Sequence, residues 1–438
     1  MKINTLLSVV EPVLNRTLLN QLIVITEALL SMQGRVTMQG ISRWATKGGS
    51  YRTIQRFFHS VIPWCTLRWT LIRHHLLDCN EVILLAGDET TVTKSGKKTH
   101  GLGRFFSSIY NRCVPGLGFF SISLISVKHQ KAYPVLMKQL DPAMSRRVTP
   151  EKPKSKKKLP PGRPKGSKNK NRRDIEMTPY LLFLQEQIKK VLQLIGGTIT
   201  PRYFLYDGAF GNNPCLQMTR SCGLELISKL NCNSELYFPY DGEYSGKGKP
   251  KKYGDKINYA RIPKRYLVES TVENNIRTSI YQATMWHKDY PDQLNVTIIH
   301  KENLSNGKEG RVILFSSDLE LDAKTMIHYY RLRFQIEFTF REAKQHWGLE
   351  DFMTIKEQSV QNAADLSMFM VNVSQVLGRA APEETPFSVN DLKARFHGLF
   401  YVKELLKTDP SFDGSGIFDR LYERVCRIGC IHRQPRAA

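Results

Sequence analysis

Tyr329-Tyr330-Arg331-Leu332-Arg333-Phe334-Gln335-Ile336-Glu337-Phe338-Thr339-Phe340-Arg341-Glu342-Ala343-Lys344 is the stretch on which the fold of this chain turns. It contains neither Gly nor Pro and is rich in good helix formers, so it reads as one helix. Asp322 stands upstream as a plausible N-cap. At roughly 100° per residue, Tyr330, Arg333, Glu337 and Lys344 fall within about 60° of one another around the axis. One narrow stripe therefore carries a phenol, a guanidinium, a carboxylate and an ammonium. Ile327, Phe334 and Phe338 flank it on one side, and Leu332, Ile336 and Phe340 on the other. A solvated stripe laced with i,i+4 ion pairs is the ordinary alternative. Apolar strips on both flanks favour a helix wedged into a core, its polar stripe aimed into a site.

Tyr330, Arg333, Glu337 and Lys344 follow the spacing Y-x2-R-x3-E-x6-K. In this the chain resembles a group of DDE transposases from bacterial insertion sequences. The lead-in Phe315-Ser316-Ser317-Asp318-Leu319-Glu320-Leu321 is also similar to that family. The resemblance implies an RNase H-like α/β catalytic core, with Glu337 as the last acid of a metal-binding triad. It also implies two aspartates upstream on strands.

Working back from the helix, Pro201 to Ala209 reads as a buried strand ending in Asp207, with Gly208 permitting a sharp exit. Residues 81–93 read as another, an apolar run ending in Asp88. A lone Asp at a strand end is usually turn chemistry; the resemblance is what makes Asp88 and Asp207 the first two acids. Strand alternation points Glu89 away from Asp88. Further β-prone stretches lie at 104–110 and 117–127, with a turn from His129 to Pro134. A helix is expected over 178–194, another over 213–221 and a strand over 224–230.

Composition sets the class of partner. The chain has 438 residues, 41% of them hydrophobic, and a net charge of +24. That size suffices for a large core and several domains. The charge calls for a polyanion, most simply nucleic acid. Apolar runs long enough to span a membrane and a signal-peptide pattern are both missing. The eight cysteines include no CxxC pair, so reduced thiols are expected. Cys426, Cys430 and His432 have metal-ligand character but lack an evident fourth ligand.

The sharpest break in composition spans residues 145–174. There 13 Lys or Arg face only Glu151 and Asp174, a net +11 in 30 residues. Such a proline-rich basic segment cannot bury a core and is expected to be disordered alone. Its centre, Gly162-Arg163-Pro164-Lys165-Gly166, partly resembles an AT-hook, with Pro161 where that motif has Arg. Arg163 and Lys165 are thus candidate minor-groove contacts, against the plainer alternative of a solvated linker.

Residues 1–78 read as a helical domain. Leu18 to Leu30 is apolar-periodic. Thr37 to Thr46 and Tyr51 to His59 form two short helices, Ser50 capping the second. Ile54, Phe57 and Phe58 can pack while Arg52, Gln55 and Arg56 face outward. This is either a helix-turn-helix reader, with Arg52 and Arg56 on DNA, or an ordinary helical hairpin. The catalytic core is assigned to 79–230 and 319–380, a β-rich insertion to 231–318 and a helical C-terminal region to 381–438. Family members hold cleaved DNA ends with that insertion. Trp286 is its candidate base-stacking aromatic, although core packing is favoured for it.

Three carboxylates in one pocket repel unless cations neutralise them. Oxygen-only ligation points to Mg²⁺, with Mn²⁺ able to substitute. Two such ions can clamp an in-line displacement at phosphorus. Arg333 suits bidentate phosphate contact, Lys344 a point-charge contact and Tyr330 a hydrogen bond near the scissile bond. The function implied is cut-and-paste transposition of an insertion sequence, by strand nicking, hairpin formation and strand transfer. The partners are the terminal inverted repeats and target DNA, bound by a homodimer in the bacterial cytoplasm and nucleoid. A transposase-derived DNA-binding protein and a nuclease without strand transfer are the rivals.

Overall fold

The structure, a computed structural model, describes residues 2–45, 48–78, 80–107, 110–145, 172–244, 246, 248–380, 387–408, 421–422 and 425–426. Arg163, Lys165, Cys430, His432 and most of the basic 145–174 segment lie outside them.

Helices α1 (Ile3–Leu7), α2 (Arg16–Ser31), α3 (Met38–Trp44), α4 (Tyr51–His59) and α5 (Trp64–His75) open the chain. The Ser50 hydroxyl accepts from the Thr53 amide and caps α4. Ile54, Phe57 and Phe58 are buried, while Arg52 and Arg56 are exposed. Then come β1 (Ile83–Thr93), β2 (Gly103–Ser107), β3 (Arg112–Ser126), β4 (Lys131–Gln139), α6 (Pro142–Ser145), α7 (Pro179–Ile195), β5 (Tyr203–Leu205), α8 (Asn213–Ser221) and β6 (Glu225–Leu230).

β1 pairs antiparallel with β3 and parallel with β5, and β5 pairs parallel with β6. β4 lies against β3. A β4-β3-β1-β5-β6 order with helices on both faces is the RNase H-like arrangement. The turn expected over 129–134 is shorter than that: β4 already begins at Lys131, and Pro134 sits inside it. Proline is tolerated there because the ladder shifts register at Ile122/Ser123.

The segment between β6 and the next helix forms β7 (Leu236–Pro239), β8 (Tyr253–Lys256), β9 (Leu267–Glu273), β10 (Ile276–His287), β11 (Leu294–Asn303) and β12 (Glu309–Ser316). These strands extend the core sheet, because β12 pairs antiparallel with β6. Trp286 lies half-buried on β10, its ring 5.9 Å from that of Tyr253 and the Lys252 ammonium 4.8 Å above it.

Two helices replace the single one expected over 329–344: α9 (Ala323–Leu332) and α10 (Gln335–His346). Asp322 caps α9 by accepting from the Thr325 amide at 3.0 Å. At the step, the amides of Arg333, Phe334, Ile336 and Glu337 each bond the carbonyl three residues back. The backbone stays right-handed but tightens to the 3₁₀ pattern. The flanks also differ from expectation. Leu332, Ile336 and Phe340 are buried, but Phe334 and Phe338 are 44% and 42% exposed and meet edge to face. Only one side of the stripe is wedged into the core.

Helices α11 (Glu357–Arg379) and α12 (Val389–Thr408) follow. α11 is buried along most of its length, and its polar residues bind the other layers. Asp365 accepts from the fully buried Arg68 of α5 at 2.6 Å, while Arg68 Nε donates to the Val135 carbonyl of β4. Asn362 accepts from Trp64 Nε1 and donates to the Phe58 and Ser60 carbonyls. A buried ion pair of this kind adds little net stability, but losing one partner costs roughly 3–5 kcal/mol. α11 thereby locks the N-terminal helices to the sheet.

Candidate active site

Asp88 lies mid-strand and not at a strand end, because the β-branched run Thr90 to Thr93 carries β1 onward, opposite Gly116 to Phe119. Its carboxylate accepts from the Glu89 amide at 2.8 Å. Asp207 follows β5 directly. Ala86 and Leu205 pair across the parallel strands, so the two aspartates stand at the same height on neighbouring strands. Asp207 caps a 3₁₀ turn, Gly208–Phe210, by accepting from the Ala209 amide at 3.0 Å. Ser228 on β6 donates to its carbonyl at 2.7 Å.

Glu337 occupies the first turn of α10, where the helix dipole favours a carboxylate. Arg333, at the step before it, reaches both layers. Its Nη2 is 2.9 Å from Glu337 Oε1 and its Nη1 is 3.4 Å from Asp88 Oδ2. The Nε of Arg333 is buried and has no hydrogen-bond partner among the described residues. The guanidinium lies 5.8 Å from the centre of the Tyr330 ring. Burial pushes the Tyr330 phenol up, with Arg333 opposing and Asp207 and Glu337 adding to it. Burial also raises the Asp88 carboxyl to about 7, and the charges of Asp207 and Glu337 push the same way. The Glu89 amide and Arg333 hold it back. Asp88 therefore feels the charge of both other acids.

A family model described as DDE superfamily endonuclease matches residues 10–291, well over half of the chain. The chain belongs to the DDE superfamily endonucleases. It is thus an enzyme of the nuclease and transposase type, and members of this superfamily typically depend on divalent metal. The matched span includes Asp88 and Asp207 and ends before Glu337. No curated protein matches the chain. Among the described residues, no helix is long and apolar enough to cross a membrane.

Asp88, Asp207 and Glu337 carry oxygen donors alone, the kind that a hard divalent cation prefers. The upward push on Asp88 comes first from burial, with the two neighbouring carboxylates adding to it. As placed, the acids do not close on a metal: among the described residues no three His, Cys, Asp or Glu side chains form such a group. Arg333 supplies the cation shared by Asp88 and Glu337.

Lys344 stands apart from the acids. Its ammonium donates to the Thr91 carbonyl at 2.8 Å and lies 3.3 Å from Glu350. Sequence spacing did not anticipate this clasp between α10, β1 and the loop after α10. Lys94 donates to the Glu350 and Phe352 carbonyls and lies over the Phe352 ring. The next residue in that loop, Asp351, accepts from the Val36 amide at 3.0 Å. Glu89, on the other face of β1, accepts from the Tyr180 hydroxyl of α7. Contacts between residues hundreds of positions apart leave no local signal. Arg52 and Arg56 stand exposed on α4, and neither has an ion-pair partner among the described residues.

Proposed function

We propose that this DDE endonuclease is the transposase of an insertion sequence, cutting both element ends and joining them to target DNA. The observation that carries the reading is the position of Arg333, bonded to Asp88 and Glu337 at once, with Asp207 on the neighbouring strand. Asp88, Asp207 and Glu337 would hold Mg²⁺, or Mn²⁺ in its place. Bound there, divalent ions supply activation of the attacking hydroxyl and neutralise charge on the leaving oxygen.

The remaining steps belong to the chain's own groups. Asp88 has to lose its proton before it can ligate, which its raised pKa delays until near neutrality. The Arg333 guanidinium, part of it exposed, can turn its planar fork to a phosphate oxygen, orienting the scissile phosphodiester. Tyr330, kept protonated by burial, donates its hydroxyl to the same group. Lys344 adds a phosphate contact once DNA displaces part of its present clasp. Arg52, Arg56 and the basic segment with Arg163 and Lys165 would hold double-stranded DNA, with the two element ends brought together by a homodimer.

The test incubates the protein with its own element ends and a supercoiled plasmid, then sequences the joints. Asp88→Asn, Asp207→Asn and Glu337→Gln should each abolish cleavage while leaving end binding largely intact. The loss should exceed the roughly 10–100-fold typical of removing an outer partner of a metal site. Wild-type cleavage in any one of the three would remove that acid from the triad. Cleavage without joints would make the protein a nuclease only.

A further inference from the structure

Between Glu89 and Asp141 the chain has no acidic residue at all, but eight Lys or Arg. Much of this stretch forms the loop after β1 and the β2–β3 hairpin. β2 continues the catalytic strand's ladder: Thr93 pairs with Gly116, and Gly116 with Gly103. The Thr91 hydroxyl donates to the Phe106 carbonyl and anchors the arm to β1. One face of the hairpin is sealed by Phe105 and Val114, both buried. The other bears Arg104 and Phe106, the latter 60% exposed, and Tyr110 beyond it is 55% exposed. Lys97, Lys98 and Arg112 are exposed and have no ion-pair partner among the described residues. Among the described residues Arg104 donates only to the Cys113 carbonyl, and His100, at the base, faces Glu357 at 3.8 Å.

We infer that this hairpin is a second DNA-contacting arm, which grips the phosphate backbone of duplex outside the cut. The inference rests on the DNA-cleaving function above. An acid-free surface with four cations that no carboxylate neutralises, and an exposed ring, complements a polyanion; the ring adds an apolar face against sugar or base. The Thr91–Phe106 bond folds the arm back beside β1, three residues or about 10 Å of strand beyond Asp88. That is about three base pairs of duplex, at roughly 3.4 Å each. The arm therefore engages DNA flanking the cut, and it recognises backbone, not sequence.

The experiment uses the full chain with Lys97→Ala, Lys98→Ala, Arg104→Ala and Arg112→Ala combined, and a charge-keeping control with Lys97→Arg and Lys98→Arg. Binding is titrated against salt on two duplexes. One runs more than a helical turn past the cut on both sides, and the other stops short of the arm. The log–log salt slope on the long duplex should fall by about 0.9 for each phosphate no longer neutralised, so by roughly 2–4 in all. The control should keep the wild-type slope, and all three proteins should bind the short duplex alike. An unchanged slope on the long duplex overturns the inference, as does equal weakening on both duplexes. Absence of cleavage by a wild-type protein that shows these slopes would refute the transposase reading and leave the arm standing.

Discussion

Asp88 and Glu337 share one guanidinium, yet they are held in opposite ways. Asp88 is fixed by the ladder of a strand with partners on both sides, and its side chain is 19% exposed. Glu337 rides the first turn of a helix whose outer flank is open, and its side chain is 39% exposed. The strand side is rigid, desolvated and electrostatically stressed. The helix side depends on Arg333 at the step before it and on the 348–352 loop at its far end. One wall of the site is thus set by the sheet, and the other by side chains that can be removed one at a time.

The largest effect expected from breaking this contrast is at Arg333. Arg333→Ala leaves two carboxylates without their shared cation, so the Asp88 carboxyl should rise further. Cleavage should fall about 100-fold or more, in the range seen when a charge-stabilising donor is lost. The pH–rate profile should also move to higher pH. Arg333→Lys keeps the charge without the planar fork and should impair cleavage more than DNA binding. An unmoved profile in Arg333→Ala would disconnect the guanidinium from Asp88.

A second measurement isolates the strand side. Because the folded-state pKa of Asp88, about 7, lies above its ordinary 3.8, the folded protein binds this proton more tightly than the unfolded chain does. Its contribution to stability is complete below the ordinary value and is lost as pH rises through about 7. Without divalent metal, Asp88→Asn should remove that part of the pH dependence of thermal unfolding. Identical pH dependence in both proteins would contradict the desolvated strand wall.

The helix side can be loosened at Gly348. Its φ is +81°, and a Cβ there would meet the Val36 Cβ at 2.4 Å. Gly348→Ala should cost about 1–2 kcal/mol for the left-handed backbone alone, measured by denaturant unfolding, with more from the clash. It should also slow cleavage while leaving the Asp88 pH signature in place. The smallest effect belongs to Glu89→Gln, which faces α7. Less than a tenfold change in cleavage is expected, and a loss equal to that of Asp88→Asn would overturn the assignment of opposite faces.

What was legible in the sequence was local. Asp322 and Ser50 are caps because their side chains answer amides three residues on, and the apolar run at 83–87 is a strand. The joint placement of Arg333 and Glu337 follows from helical spacing. The step at Arg333–Phe334 was not legible, since neither residue breaks a helix and the switch to 3₁₀ bonding is decided by packing on one flank. Nor was the exposure of Phe334 and Phe338, because hydrophobicity does not say which side of a helix finds a partner. The Lys344–Thr91 contact and the Asp351–Val36 contact join distant segments and appear only in three dimensions.

The pairing of β6 with β12 has a consequence for the growing chain. Leu230 and Ile313 are partners across about 80 residues of intervening sequence. Long-range closures of this sort come late in folding. As the protein emerges from the ribosome, β1, β5 and β6 can assemble first, and β6 is then an open parallel edge, the kind of surface on which unfinished chains associate. That edge stays open until β12 is made. Glu337 arrives later still, so the nascent chain carries its two aspartates long before the acid that faces them.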